Sequence, residues 1–256
     1  MAYREDEGLA FLQYMQDQEL DNLVSLLIYD KDGKKWISES LSRKNGYKQH
    51  NPKHSLYWQD IAEEIQRYGA NGIITQLRGG KGVLYKEVLT DVCDRLKVNY
   101  NPKAETGAIE NNLLMKILTD SIEKMSSDDV RKIMDDLGIK NLNTLSGEAL
   151  VSAFQAMFIA GGFKSYQLTL IVVNAISRAM LGRGLTFAGN AALTRAASIF
   201  AGPIGWAVTG VWTAFDLAGP AYRVTIPAVI HVAMLRKRSL LEKDGVGAEL
   251  AKEMGI

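Results

Sequence analysis

The sequence predicts an all-α protein. Three observations lead there: apolar residues recur at three- and four-residue spacing in one segment after another, no segment alternates as a half-buried strand does, and Gly, Pro and capping residues separate the segments. The composition agrees with a packed chain, since 256 residues with 47% hydrophobic and 23% charged side chains lie near the globular average and can bury a substantial core.

Leu9, Phe11, Leu12 and Met15 behind an acidic first turn predict a short amphipathic helix over 5–16. Leu20, Leu23, Val24, Leu27 and Ile28 predict a second, with Asp17 as N-cap and Asp32-Gly33 as the closing turn. Asp30-Lys31-Asp32-Gly33 resembles the start of a calcium loop but lacks its third ligand position and distal glutamate. Residues 34–50 are polar, anchored by Trp36, Ile37 and Leu41. Asn51-Pro52 is expected to open a helix running through Tyr57, Trp58, Ile61, Ile65 and Tyr68.

After a glycine-broken stretch, a helix over 83–98 buries Leu84, Val88, Val92 and Leu96. Cys93 within it reads as a small buried hydrophobe, because no cation or histidine is placed to activate the thiol. Asn101-Pro102 to Gly107 is a linker. Helices follow over 109–125, 127–137 (capped by Ser126 or Ser127) and 146–160, the last closed by Gly161-Gly162. Four apolar helical segments complete the chain, over 168–181, 185–200, 203–215 and 221–235, the middle two forming a Gly/Ala-rich hairpin. The expected division is an N-terminal module over 1–50, a central helical domain over 51–162 and an apolar region with a basic C-terminal helix over 163–256.

Charge is segregated along this plan. Residues 1–150 carry 20 basic and 24 acidic side chains, whereas 151–256 carry 10 and 5, giving a formal net charge of +1. That balance argues against a nucleic-acid partner. One cysteine excludes an intrachain disulfide and a cysteine-based zinc site. The acidic start is unlike a secretory or transit peptide, so cytoplasmic residence is expected.

The apolar region admits two readings. Residues 196–215 are 20 consecutive uncharged residues, the nominal length of a membrane span, yet Gly202-Pro203 breaks them near the first third. Within 165–235 four arginines share one carboxylate, Asp216, so the others need partners elsewhere: carboxylates of the acidic N-terminal part, helix C-termini, solvent or lipid phosphates. Arg195, Trp206, Trp212, Asp216 and Arg223, with the triplet Arg236-Lys237-Arg238, are therefore the candidate contacts to a membrane or partner, and an anionic membrane surface is the lipid partner they would suit. Otherwise 165–235 is core.

Arg78-Gly79-Gly80-Lys81-Gly82, just before a helix start, is a candidate anion or partner site, since exposed N–H groups and two cations favour a phosphate there. It is not a nucleotide-hydrolase loop. His50, His54 and His231 form no metal signature, and the pairs Glu63-Glu64, Asp128-Asp129 and Asp135-Asp136 read as solvated faces. No residue set points to catalysis, a metal or a cofactor.

Longer strings carry a resemblance. Leu77 to Tyr85, Asp91-Val92-Cys93-Asp94, Gly161 to Gln167, Gly202-Pro203-Ile204-Gly205-Trp206 and Gly219-Pro220-Ala221-Tyr222-Arg223-Val224-Thr225-Ile226-Pro227 resemble the bacterial YaaW family over nearly the whole chain. That family has an N-terminal domain of unknown function and is grouped with the ubiquinol-cytochrome c chaperones, helical proteins that assist assembly of a respiratory complex. The chaperone likeness is expected to rest on Tyr57 to Val98 and to stop before the linker. The resemblance implies a helical, non-enzymatic binding or chaperone-like protein with a protein partner, cytoplasmic or peripheral to the inner membrane. The other reading is a protein whose apolar hairpin inserts conditionally, as in pore formers.

Overall fold

The computed structural model describes residues 3–70, 82–136, 148–182, 184–185 and 222–243. The 185–200 and 203–215 hairpin lies outside them, apart from Leu185, as do Arg78, Gly79, Gly80, Lys81, Arg195, Trp206, Trp212 and Asp216. The described residues form an all-α fold: α1 (Asp17–Ile28), α2 (Asn45–His50), α3 (Trp58–Gly69), α4 (Tyr85–Arg95), α5 (Thr106–Ile122), α6 (Ser127–Asp136), α7 (Glu148–Ala160), α8 (Gly162–Leu181) and α9 (Tyr222–Lys243), with short 3-10 turns between some of them.

Two of these helices occupy the middle. Residues 165–177 of α8 and 224–235 of α9 are buried without interruption, mostly by apolar side chains and without a charged one. They run antiparallel: Ser177 meets His231 and Ser165 meets Lys237. Around α9 pack α1, α3, α4, α5 and the 3-10 turn Ala10–Tyr14. One continuous core therefore draws on all three sections that composition separates, from Leu9 to Leu241. At α3–α4 the approach is so close that a Cβ on Gly69 would lie 2.3 Å from Val88 Cγ2.

The boundaries depart from periodicity where side chains claim the backbone. Residues 5–16 form no α-helix, only the 3-10 turn Ala10–Tyr14. The buried Asp6 carboxylate holds the preceding segment by accepting from the N–H groups of Gly8 (2.9 Å) and Tyr85 (2.6 Å) and from Gln66 Nε2 (3.1 Å). Asp17 is the first residue of α1 rather than its cap; Glu19 accepts the N–H of the capping residue Gln16 at 3.1 Å, and Asp17 instead caps Ser55 N–H at 2.8 Å. Pro52 lies in a turn, and α3 begins at Trp58, because 54–57 are tied down as a 3-10 turn by His54 bonding Tyr57 and Asp21. Ser126 caps α6 as expected, accepting Asp129 N–H at 3.2 Å.

Glu63 and Glu64 are buried, contrary to their expectation as a solvated face. Glu63 pairs with Lys44, while Glu64 takes Arg67 and both the N–H (2.8 Å) and the hydroxyl of Ser40. Asp30 spends its carboxylate on the N–H groups of Asp32 (2.9 Å) and Lys34 (2.8 Å), which makes its tetrapeptide a turn. Cys93 is buried, and burial pushes its thiol up to about 12, far from thiolate at neutral pH.

No single helix among the described residues is long and apolar enough to cross a membrane. Glu148–Ala160 and Gly162–Arg178 combine that length and apolarity only together, and they meet at a 115° bend. Gly161 and Gly162 make the bend with φ of 74° and 64°, a region in which other residues are strained.

Candidate functional site

The basic triplet at the C-terminal end of α9 is the most charged feature of the interior. Being consecutive on a helix, its three side chains fan out by about 100° each. Each reaches a different part of the chain.

Arg236 Nε donates to Glu110 Oε2 of α5 at 2.7 Å, and its terminal nitrogen donates to the Gly8 carbonyl. Its guanidinium also lies 4.4 Å from the Phe11 ring centre. The second Glu110 oxygen accepts the Tyr85 hydroxyl at 2.7 Å, so both carboxylate oxygens are engaged. Burial pushes the Glu110 carboxyl above the usual range, and Arg236 beside it offsets part of that rise. Tyr85 is pushed well up by burial and by the neighbouring carboxylate.

Arg238 Nε faces Glu19 of α1 at 3.0 Å and Glu242 at 3.1 Å. Lys237 points the third way. Its Nζ donates to Ser165 Oγ at 2.6 Å and sits 4.0 Å above the Phe158 ring, while Ser165 Oγ donates to the Phe158 carbonyl at 2.9 Å. That chain of contacts straps α7 to α8 across the glycine bend. Burial pulls the Lys237 ammonium down to about 8.

Two turns earlier, His231 donates from Nδ1 to the Pro227 carbonyl at 2.8 Å, which leaves Nε2 to accept the Ser177 hydroxyl at 3.2 Å. Burial lowers the imidazole to about 4, so it is neutral at pH 7. With both residues buried, the pair joins α8 to α9 within the core.

The triplet, a candidate membrane or partner contact, is thus turned inward: Arg236 and Arg238 reach Glu110 and Glu19 of the N-terminal half, and Lys237 reaches Ser165 and Phe158 at the α7–α8 bend. Arg223, in the first turn of α9, is exposed. Gly82 packs over Gln66, where a Cβ would lie 3.0 Å from Gln66 Cβ. The start of α4, offered by the sequence to an anion, receives the chain's own Asp6 at Tyr85 N–H, and Glu87 accepts Leu84 N–H at 3.2 Å. Periodicity and motif spacing assign no contact to Glu110 or Glu19; the Arg236–Glu110 pair spans 126 residues, beyond the reach of any local pattern.

This continuity of N-terminal and C-terminal segments is matched by comparisons with known proteins. A UPF0174 protein of Helicobacter pylori strain J99 is 51% identical over 239 residues, 93% of this chain and 94% of its own. The UPF0174 protein YaaW of Escherichia coli K12 is 34% identical over 241 residues, 92% of this chain and 95% of its own. The chain belongs to the UPF0174 (YaaW) family. A second UPF0174 protein of the same Helicobacter strain is 44% identical over 206 residues, 79% of this chain and 98% of its own.

Two family models divide the UPF0174 chain. A domain of unknown function, DUF3944, matches residues 3–37, and the ubiquinol-cytochrome C chaperone model matches residues 53–233. The second match corrects the expectation that the chaperone likeness stops before the linker. It takes in the apolar third, including α8 and the first half of α9, on which α3, α4 and α5 pack. No solved structure matches the chain.

Proposed function

We propose that this UPF0174 protein is a non-catalytic, chaperone-like helical protein that holds a protein partner during assembly of a membrane protein or respiratory complex. The observation that carries the proposal is the span of the ubiquinol-cytochrome C chaperone model over 53–233, from the approach to α3 to the middle of α9. The interior chemistry supports it. Arg236, Arg238, Glu110 and Glu19 pair with one another across the chain and so fasten helices together. The proposal puts the protein in the cytoplasm, at the inner face of the inner membrane.

The test is purification of the tagged protein in mild detergent, identification of what co-purifies, and rebinding from purified components. A membrane-complex subunit that rebinds at fixed stoichiometry is expected. Absence of any rebinding partner overturns the proposal.

One observation favours a second reading, conditional membrane insertion: α7 and the first part of α8 together reach membrane length and apolarity. Insertion requires α8 to leave α9 and the Lys237–Ser165 contact to break. Rapid dye release from anionic vesicles supports this reading, and intact vesicles at saturating protein remove it.

A further inference from the structure

Away from the α9 junction, a cavity of about 470 Å³ opens between the end of α5, α6 and the first turns of α7. That volume lies within the roughly 300–1,000 Å³ typical of ligand pockets. Ile122, Val130 and Leu150 form a buried floor, with Met125 and Val151 half-buried at its sides. One turn inward from Ile122, Gln155 Nε2 donates to Thr119 Oγ1 at 3.1 Å and pins α7 to α5. The groove is therefore built on fastened helices.

Its rim is acidic. Glu123 and Glu148 are exposed at the mouth, and neither makes an ion pair with a described residue. The surrounding sequence, Asp120 to Asp136, holds six carboxylates against three cations, and Asp120 is paired with Lys116 just before it. Two of those cations, Arg131 and Lys132, are engaged by Asp128 and Asp129 of their own helix. In a chain of net charge +1, an apolar floor ringed by unbalanced carboxylates is complementary to one kind of occupant.

We infer that this groove docks a cationic amphipathic segment of a partner protein, its apolar side chains on Ile122, Val130, Leu150 and Val151 and its lysines or arginines against Glu123 and Glu148. The inference rests on the binding-protein proposal and names its surface and the chemistry it selects. Such a segment is read by helix-in-groove recognition, with apolar anchors giving affinity and rim charges giving orientation and rate.

The experiment titrates a fluorescein-labelled, helix-forming leucine–lysine peptide into the full chain, beside counterparts with glutamine or glutamate in place of lysine. The cationic peptide is expected to bind best, and methyl NMR shifts are expected to centre on Ile122, Val130, Leu150 and Val151. Glu123→Gln with Glu148→Gln is expected to weaken binding about fivefold at low salt, less at high salt. Val151→Lys is expected to weaken it about tenfold, by placing a charge on an anchor position. Equal affinity for the three peptides, or no effect of these substitutions, overturns the inference. So does a concentration-dependent dimer abolished by Val151→Lys, which would make a second copy the occupant. If both variants rebind the purified partner like the wild type, the groove is wrong while the binding-protein proposal stands. If the wild type rebinds no partner, both fall.

Discussion

The α9 junction and the α5–α6–α7 groove use the same charged chemistry in opposite ways. At the junction, Glu110 and Glu19 are buried, and their charges are met by Arg236 and Arg238. At the groove, Glu123 and Glu148 stand in solvent beside an apolar floor. A buried carboxylate with a fixed cation holds parts of one chain together, because removing either partner strands the other. An exposed carboxylate at an apolar rim adds little to stability and remains open to a partner. The contrast separates residues that keep the fold from those proposed to select what it binds.

The largest effect is expected at Arg236. Arg236→Met leaves Glu110 and the Gly8 carbonyl without their donor, and should cost about 3–5 kcal/mol in urea unfolding. Arg236→Met combined with Glu110→Leu should recover much of that loss. A single variant as stable as the wild type would mean that the junction is not a structural clamp.

Lys237 makes the junction sensitive to pH. Burial depresses its folded pKa from 10.5 to about 8, so the folded state binds fewer protons than the unfolded state in that interval. Its stability contribution is present above 10.5 and lost as pH falls toward 8. The raised Cys93 thiol and raised tyrosines such as Tyr85 act oppositely from about pH 9 and 10 upward, but they are common to wild type and Lys237→Met and cancel in the difference, which is read from about pH 8 to 10. Wild-type stability should rise relative to Lys237→Met across that window by about 1–2 kcal/mol. Parallel curves for the two proteins would show that Lys237 titrates as if in water.

His231 has the same sign at lower pH. Its pKa falls from 6.5 to about 4 on folding, so its contribution is full above 6.5 and is lost as pH drops toward 4. The wild type should lose stability relative to His231→Asn between those values, read from paired urea midpoints. The smallest effect belongs to the groove: Glu123→Gln and Glu148→Gln should each move stability by less than about 0.5 kcal/mol while changing peptide affinity. Unfolding by either would place these glutamates with the clamp.

Much of the helical plan was legible because local rules govern it. Periodicity located α1, α4, α5 and α6, and Ser126 marked its own cap. Local rules failed where distant side chains intervene. Asp6 holds 3–8 out of a helix through Gln66 and Tyr85, and Ser55 takes the Asp17 carboxylate that would have capped α1. The last helix continues past Leu235 to Lys243, so the triplet is helical and points inward. Its charge suggested a membrane contact. Its partners, Glu110 and Glu19, are recognisable only once α5 and α1 lie against α9.

Residues 165–177 and 224–235 are the core of the protein, fastened by the triplet beyond them. Hydrogen–deuterium exchange of the full chain, with and without anionic vesicles, reads this out. Both stretches are expected to exchange only through global unfolding, with protection unchanged by vesicles, whereas Arg236→Met accelerates them together with Asp17–Ile28 and Thr106–Ile122. Vesicle-induced loss of contact between α8 and α9, seen as faster exchange before the peptides acquire lipid protection, would contradict it.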